Sequence, residues 1–373
     1  MVNMVGKYIL LTYLFLNTWG VSLLAMDNPD QQTLAGHKIL KLMVPPDGNE
    51  ISSLVKVIFE DKDGNYWLGT HTTLYFFDEN KNYWKSVKSD SGKLTINQVT
   101  IINQSNDGKI WFAPTPNMPY FGSGIICFDG TRWSKINGAN SPLKFFDDNG
   151  NTSPVYAIFP GKSGILWFAL EDGLIAYDNG KWISRLKPSL NFNEVEPIDI
   201  ITGLQDSQGY LWLVSPSIGI LGYDVISQKW AKYDPLSENQ ITLNKSHHNK
   251  IVNVSCIYED RQGLIWFLTV EGIAYVYNKE KRLWQSVNIA GHVSLINTSV
   301  LANFRVNQMY QDKNGVMMFA TNHGLLVYFD KGNRWELLTY ENSKLPSSYI
   351  TTIMEDHNQR IWLGTARGVV VLE

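Results

Sequence analysis

An apolar strand ending in acid, a tight polar turn, a second apolar strand through Trp362 and a Gly-marked turn make up Ile353–Val369, IMEDHNQRIWLGTARGV. An earlier copy lies at Ile58–Thr73, IFEDKDGNYWLGTHTT, and five more divergent copies lie between the two. The unit is a strand, the turn D-x-x-G, then x-x-Trp on a second strand. It is carried by Gly64/Trp67, Gly108/Trp111, Gly164/Trp167, Gly209/Trp212 and Gly263/Trp266. A sixth copy keeps Gly315 with Met318 in the Trp slot, and a seventh keeps Trp362 with Gln359 in the Gly slot. Asp suits such a hairpin by accepting from nearby backbone N–H groups, and Gly by accepting positive φ. Steps of 44 to 56 residues between Trp slots are the period of a four-stranded propeller blade with variable loops.

The second half of each unit agrees. A third strand follows the Gly-marked turn, as in Leu74–Glu79, Gly124–Gly130 and Leu325–Asp330. A short turn then leads to a fourth strand with its own tryptophan: Trp84, Trp133, Trp182, Trp230, Trp284 or Trp335. Apart from Trp19, every tryptophan has a repeat position. Each is expected to fill the wedge between stacked sheets, and Met318 to do so through its adaptable thioether. The seventh unit stops after its third strand, Val369–Leu372. The missing strand is expected at the other end, where His37–Met43 sets Ile39 and Leu42 at the spacing of Trp84 and Val87. Closure there leaves no exposed edge. The expectation is an all-β, seven-bladed propeller of four-stranded blades, with residues 26–373 as one domain.

Composition adds location more than chemistry. Apolar residues at 44% and charged residues at 18% fit a globular chain with a large core. A net charge of -3 with no Lys/Arg run gives no reason to expect nucleic acid. Lys7 followed by the apolar run Tyr8–Ala25 has the form of a secretory signal, with Ser22 or Ala25 preceding the cleavage site. The competing reading is an uncleaved anchor in the inner membrane, since the run approaches the roughly 20 residues of a spanning helix. The location expected is therefore the periplasm or the medium. Cys127 and Cys256 fall three repeats apart and outside any zinc-like spacing, so they are expected as packed thiols.

The seventh copy, E-D-x-x-x-x-I-W-L-G-T-x-x-G-V, resembles the two-component regulator propeller repeat, which builds seven-bladed propellers in the periplasmic sensor halves of bacterial hybrid histidine kinases. The resemblance runs through residues 37–373 and is good in copies one, five and seven. Elsewhere it loosens: Ser105 and Gly161 stand where Asp is usual, and only copies one and seven keep Gly-Thr after the second strand. It implies a binding or sensing propeller without an attached kinase, and a membrane signalling partner. The chain is also similar, less closely, to the streptogramin B lyases, propellers that use His and Glu on one face with magnesium. Their catalytic motif has no residue-by-residue match here.

Loops joining second to third strands, and those joining blades, should share one face. The between-blade loops are long: Lys88–Gln98, Asn137–Ser153, Lys187–Pro197, Pro235–Lys250 and Asn288–Asn303. The second-to-third loops bring His71, Tyr120 (in the insert Pro114–Ser123), Glu171, Ser215, Glu271, His323 and Arg367 toward one mouth. Of these, His71, Tyr120, Glu171, Glu271, His323 and Arg367 are the expected ligand-binding residues. Their mixture suits a polar ligand, a small glycan or a protein segment. The alternative is a metal-dependent lyase using His and Glu. No cofactor is implied, and there is no G-x-S-x-G, phosphate loop or H-E-x-x-H. Asp61–Gly64 has the start of a calcium loop but lacks its later carboxylate, and fits the hairpin turn. His247–His248 reads as an exposed pair. Pro114–Phe121 is apolar enough to cap a ligand or to pack on its own blade.

Overall fold

Asp61 shows how each blade begins. In the computed structural model its Oδ1 accepts from the N–H groups of Asp63 and Asn65 at 3.0 and 2.9 Å, which folds the hairpin. Its Oδ2 accepts from the Trp67 indole at 2.8 Å. Asp206/Trp212, Asp260/Trp266 and Asp356/Trp362 repeat this indole bond at 2.8 Å, and Ser105 takes the Trp111 indole at 2.9 Å. The Asp and the Trp six residues on are thus one hydrogen-bonded unit, a coupling not drawn from the sequence. Asp61 thus serves the hairpin turn and the indole together, the role its place in the turn suggested. Gly64 sits at φ +76°, and Gln359, in the same slot of the last copy, at +62°.

The structure describes residues 33–34, 37–43, 54–87, 98–114, 125–136, 141–143, 155–171, 173–187, 199–235, 253–296, 304–329 and 334–373. They form seven antiparallel sheets, six of them meanders in chain order and the seventh joining strands from both ends of the chain. Six have four strands, spanning 55–87, 99–136, 155–186, 202–233, 254–288 and 306–338. The innermost strands contact one another in sequence, and that of the seventh sheet (Ile350–Glu355) contacts that of the first (Val55–Glu60), so the sheets close a ring. This is the seven-bladed propeller expected.

Tryptophan packs the seams. Trp67, Trp111, Trp167, Trp212, Trp266 and Trp362 are all buried, Trp212 at 1% exposure. Each sits against the next blade: Trp212 meets Phe267 and Tyr277 edge-on at 5.7 and 5.5 Å. Burying ~200 Å² of Trp is worth roughly 5 kcal/mol before entropy is counted. Cys127 lies within such a seam and Cys256 is half-buried; both are free thiols, as expected, and burial pushes the Cys127 thiol up to about 12.

Closure comes from the N-terminal side. His37–Met43 pairs with Gly368–Leu372, with Ile39 opposite Leu372 and Met43 opposite Val369. Ile39 therefore takes the place of Trp84, but Met43, not Leu42, takes that of Val87. An irregularity between Ile39 and Lys41 inserts one residue and shifts the alternation. Two elements were not anticipated. Thr33–Leu34 adds a fifth strand to this blade, and Ile289–Ile296 forms a helix within the stretch read as a loop.

A second stitch joins blades on the hairpin face. The side chain just before the turn Asp accepts the backbone N–H just after the corresponding residue of the preceding blade. Gln104 holds Lys62 N, Gln205 holds Lys162 N, Glu259 holds Ser207 N, Gln311 holds Arg261 N and Glu60 holds His357 N, at 2.6–2.9 Å. Pro160 cannot do this, and blade two instead reaches forward, Asn106 donating to the Ser163 carbonyl at 2.9 Å.

Candidate functional site

The mouth is assembled by the turns that close second strands. Those strands end in a buried Thr or Ser in five blades: Thr70, Ser215, Thr269, Thr321 and Thr365. Thr321 Oγ1 donates to the Gly324 carbonyl at 2.7 Å and accepts from His323 N at 3.1 Å. Thr365 does the same with Gly368 and Arg367 at 2.9 and 3.0 Å. One buried hydroxyl thus fixes the loop and leaves the next side chains outside the sheet. The turns are tied inward as well. His71 N, Val270 N, Asn322 N and Ala366 N donate to the carbonyls of Leu54, Asn253, Arg305 and Tyr349, the residues leading into innermost strands. Second-to-third turns and between-blade connections therefore share one end of the ring, while the D-x-x-G hairpins occupy the other.

Of the expected residues, His71, Glu171, Glu271, His323 and Arg367 all stand on this end; Tyr120 lies outside the described residues, as do most of the long loops, the Tyr8–Ala25 run and His247–His248. His71, Glu271 and Arg367 are exposed and Glu171 and His323 half-buried. Asn253 donates to Glu271 at 3.3 Å. The His323 ring lies parallel to Phe304 at 6.3 Å, and its Nε2 is buried without a hydrogen-bond partner among the described residues. His323 is thus packed against the rim, not presented as an open acid or base.

Four residues at this end escaped the sequence reading. In six blades the innermost strand carries a one-residue irregularity at its second position, at Lys56, Thr100, Tyr156, Ser255, Asn307 and Thr351. Bulged residues re-aim their side chains. Ser255, Asn307 and Thr351 use this to bond the first carbonyl of the next blade's innermost strand, those of Val306 (2.9 Å), Ile350 (2.7 Å) and Val55. Tyr156 donates instead to Asp199, which leads into blade four. Burial raises the Asp199 carboxyl, and burial, with the charges of Asp199 and Glu171 nearby, pushes Tyr156 up to about 12. Arg305, just before the sixth innermost strand, is exposed on the same rim. Lys56, Tyr156, Asp199 and Arg305 were detectable as residues at or just before the second position of each repeat's first strand.

Among the described residues, no three His, Cys, Asp or Glu side chains gather as metal ligands, and no helix is long and apolar enough to cross a membrane.

Comparison with known proteins agrees with this architecture. Residues 49–72, 250–271 and 344–367 match the two component regulator propeller family, and these are copies one, five and seven. No curated protein sequence matches the chain significantly. Its fold is similar to the extracellular domain of BT3049 from B. thetaiotaomicron, assigned as a hybrid two component system (TM-score 0.63, 19% identity, 89% of this chain and 42% of that one). It is similar to that of BT4673, assigned as a one component system from the same organism (0.63, 17%, 91% and 40%). The chain thus spans under half the length of these two. A virginiamycin B lyase from Staphylococcus aureus has the same fold (0.58, 12%, 90% and 97%).

Proposed function

Taking a seven-bladed ring built on two component regulator repeats as the premise, we propose that this chain is an exported, non-enzymatic propeller that binds a polar ligand at its mouth. The ligand class is a carbohydrate fragment or a segment of a partner protein, read by a signalling partner at the membrane. One observation carries the reading. Both ends of the ring carry hydrogen-bonded turns, yet they differ in what they display. The hairpin end repeats one Asp-centred turn in five blades and one inter-blade stitch at five seams. The mouth end uses hydrogen-bonded turns to hold out dissimilar side chains, among them His71, Glu271 and Arg367, with Glu171 on the same end. Variable side chains on a rigid frame are where binding usually resides. The similar extracellular domains belong to signalling systems, which supports a sensing role.

The test is a glycan, peptide and metabolite screen of the full chain by thermal shift, because a ligand that binds only the folded state raises the melting point with occupancy. A hit lost in Glu271→Ala or Arg367→Ala supports the mouth. Crystallographic contacts confined to the hairpins near Asp61, Asp206 and Asp260 would overturn it. Turnover that needs a divalent cation and disappears in His323→Ala would favour the lyase reading instead. Mass determination of the exported chain's N-terminus tests cleavage after Ser22 or Ala25, and an intact Met1 in the membrane fraction would show an anchor.

A further inference from the structure

We propose that the mouth is built for a zwitterionic ligand, one with a cationic and an anionic end, of which a short peptide with free termini is the simplest. The inference rests on the binding role proposed above and specifies its chemistry. Among the described residues of the inner rim, charge is divided by blade. Lys56, Arg305 and Arg367 belong to blades one, six and seven, which are neighbours around the ring. Glu171, Asp199 and Glu271 belong to blades three, four and five, or to the strand leading in, and these are neighbours too. Blade two, between the halves, contributes Gln98 and Thr100. The outer rim does not follow this division, since Lys187 and Lys232 lie at the ends of outermost strands in the acidic half.

Among the described residues such a rim has no net charge but a dipole across the opening. A neutral sugar is not oriented by it, whereas a zwitterion is attracted at both ends and rejected when reversed. The local chemistry favours a cation on the acidic side. Burial raises the Asp199 carboxyl and Tyr156 donates to it, so a bound ammonium would restore what burial removed. On the basic side Arg305 and Arg367 are both exposed, and guanidinium suits a carboxylate by its paired donors. The charges thus form one site with two poles rather than a solvated ring.

The experiment uses the full chain and three mixtures of random tripeptides: free termini, N-acetylated, and C-amidated. A mixture of neutral trisaccharides is run beside them, all by thermal shift and then calorimetry on the responding pool. The expected result is binding of the free-termini pool, weakened about tenfold by capping either end, and weakened again by raising salt from 50 to 500 mM, roughly a threefold shorter Debye length. Glu171→Gln/Glu271→Gln should abolish the difference between free and acetylated pools, and Arg305→Gln/Arg367→Gln that between free and amidated pools. Unchanged melting of both unliganded variants shows that they fold. Binding of the trisaccharides, with capped and uncapped peptides alike, overturns the dipolar site while leaving the mouth as a binding site. Binding of no pool overturns both.

Discussion

His37 stands where blade six lacks an indole, and replacing it gives the sharpest test of how the ring closes. Met318 fills the Trp slot, so Asp312 receives no indole N–H; His37 Nε2, from the closing strand, lies 2.9 Å from Asp312 Oδ2 instead. Both side chains are buried, at 11% and 2% exposure. His37→Ala leaves that oxygen with only the 3.3 Å contact from Asn314 Nδ2. An unsatisfied buried acceptor of this kind costs roughly 2–3 kcal/mol. A chain of 373 residues has an unfolding entropy of roughly 0.8 kcal/mol per degree, so melting should fall about 3 °C. Met318→Trp alone should also destabilise, because the site is fully buried and its extra volume meets His37. Combined, the two should compensate, the indole replacing the imidazole as it does for Asp206 and Asp260, with a coupling of at least ~1 kcal/mol. The pH dependence has a definite sign. Burial works against the Asp312 charge, but His37 and the N–H groups of Val316 and Asn314 outweigh it, holding the carboxyl below its ordinary range. A depressed carboxyl stabilises above its unfolded value, about 4, and loses this as pH falls through the folded value. The deficit of His37→Ala should therefore be full near pH 7 and shrink in acid. A double variant no more stable than the sum of the singles would refute the substitution of imidazole for indole.

Other expectations are simpler. Trp212→Ala should cost roughly 3–5 kcal/mol by urea unfolding, given its 1% exposure and its bond to Asp206; a loss under 1 kcal/mol would contradict the seam packing. A chain starting at Pro46 lacks the closing strand and should lose several kcal/mol, whereas melting within a degree of full length would show the ring stands without it. Gln359→Gly should stabilise by up to ~1 kcal/mol, because φ +62° is free for glycine. Gln205→Ala should cost about 1 kcal/mol through the lost bond to Lys162 N, with faster amide exchange at Lys162 as its local signature.

Much of the scaffold was legible because its determinants are local. Asp to Gly is one hairpin, and Gly to Trp is one strand, so spacing alone placed the blades. The closing strand was found by the same pattern, but Leu42 was put in place of Met43 because one inserted residue reverses inside and outside. The helix Ile289–Ile296 and the strand Thr33–Leu34 have no counterpart in the repeat, so periodicity could not announce them. The Glu or Gln that makes the stitch stood in plain view before five of the seven turns, at Glu60, Gln104, Gln205, Glu259 and Gln311. Its partner is a backbone group in another blade, which no local pattern names. The mouth was half legible: topology brought Glu171, Glu271 and Arg367 to one end, whereas Tyr156, Asp199 and Arg305 needed the register of the innermost strands.

The stitch on the hairpin face has a consequence for how such rings are composed. Its donor is a main-chain N–H, present whatever residue stands there, as Lys62, Ser207, Arg261 and His357 show. Only the acceptor is written in sequence, and it travels with the blade that carries it. A blade that carries this acceptor therefore brings its own fastening and asks nothing particular of the one before it; blade three, with Pro160 in that slot, is instead held by Asn106 of the blade before it. Units of this kind can be duplicated, exchanged or reordered without a matching change next door, so the ring behaves as a string of interchangeable parts whose individuality resides at the opposite end.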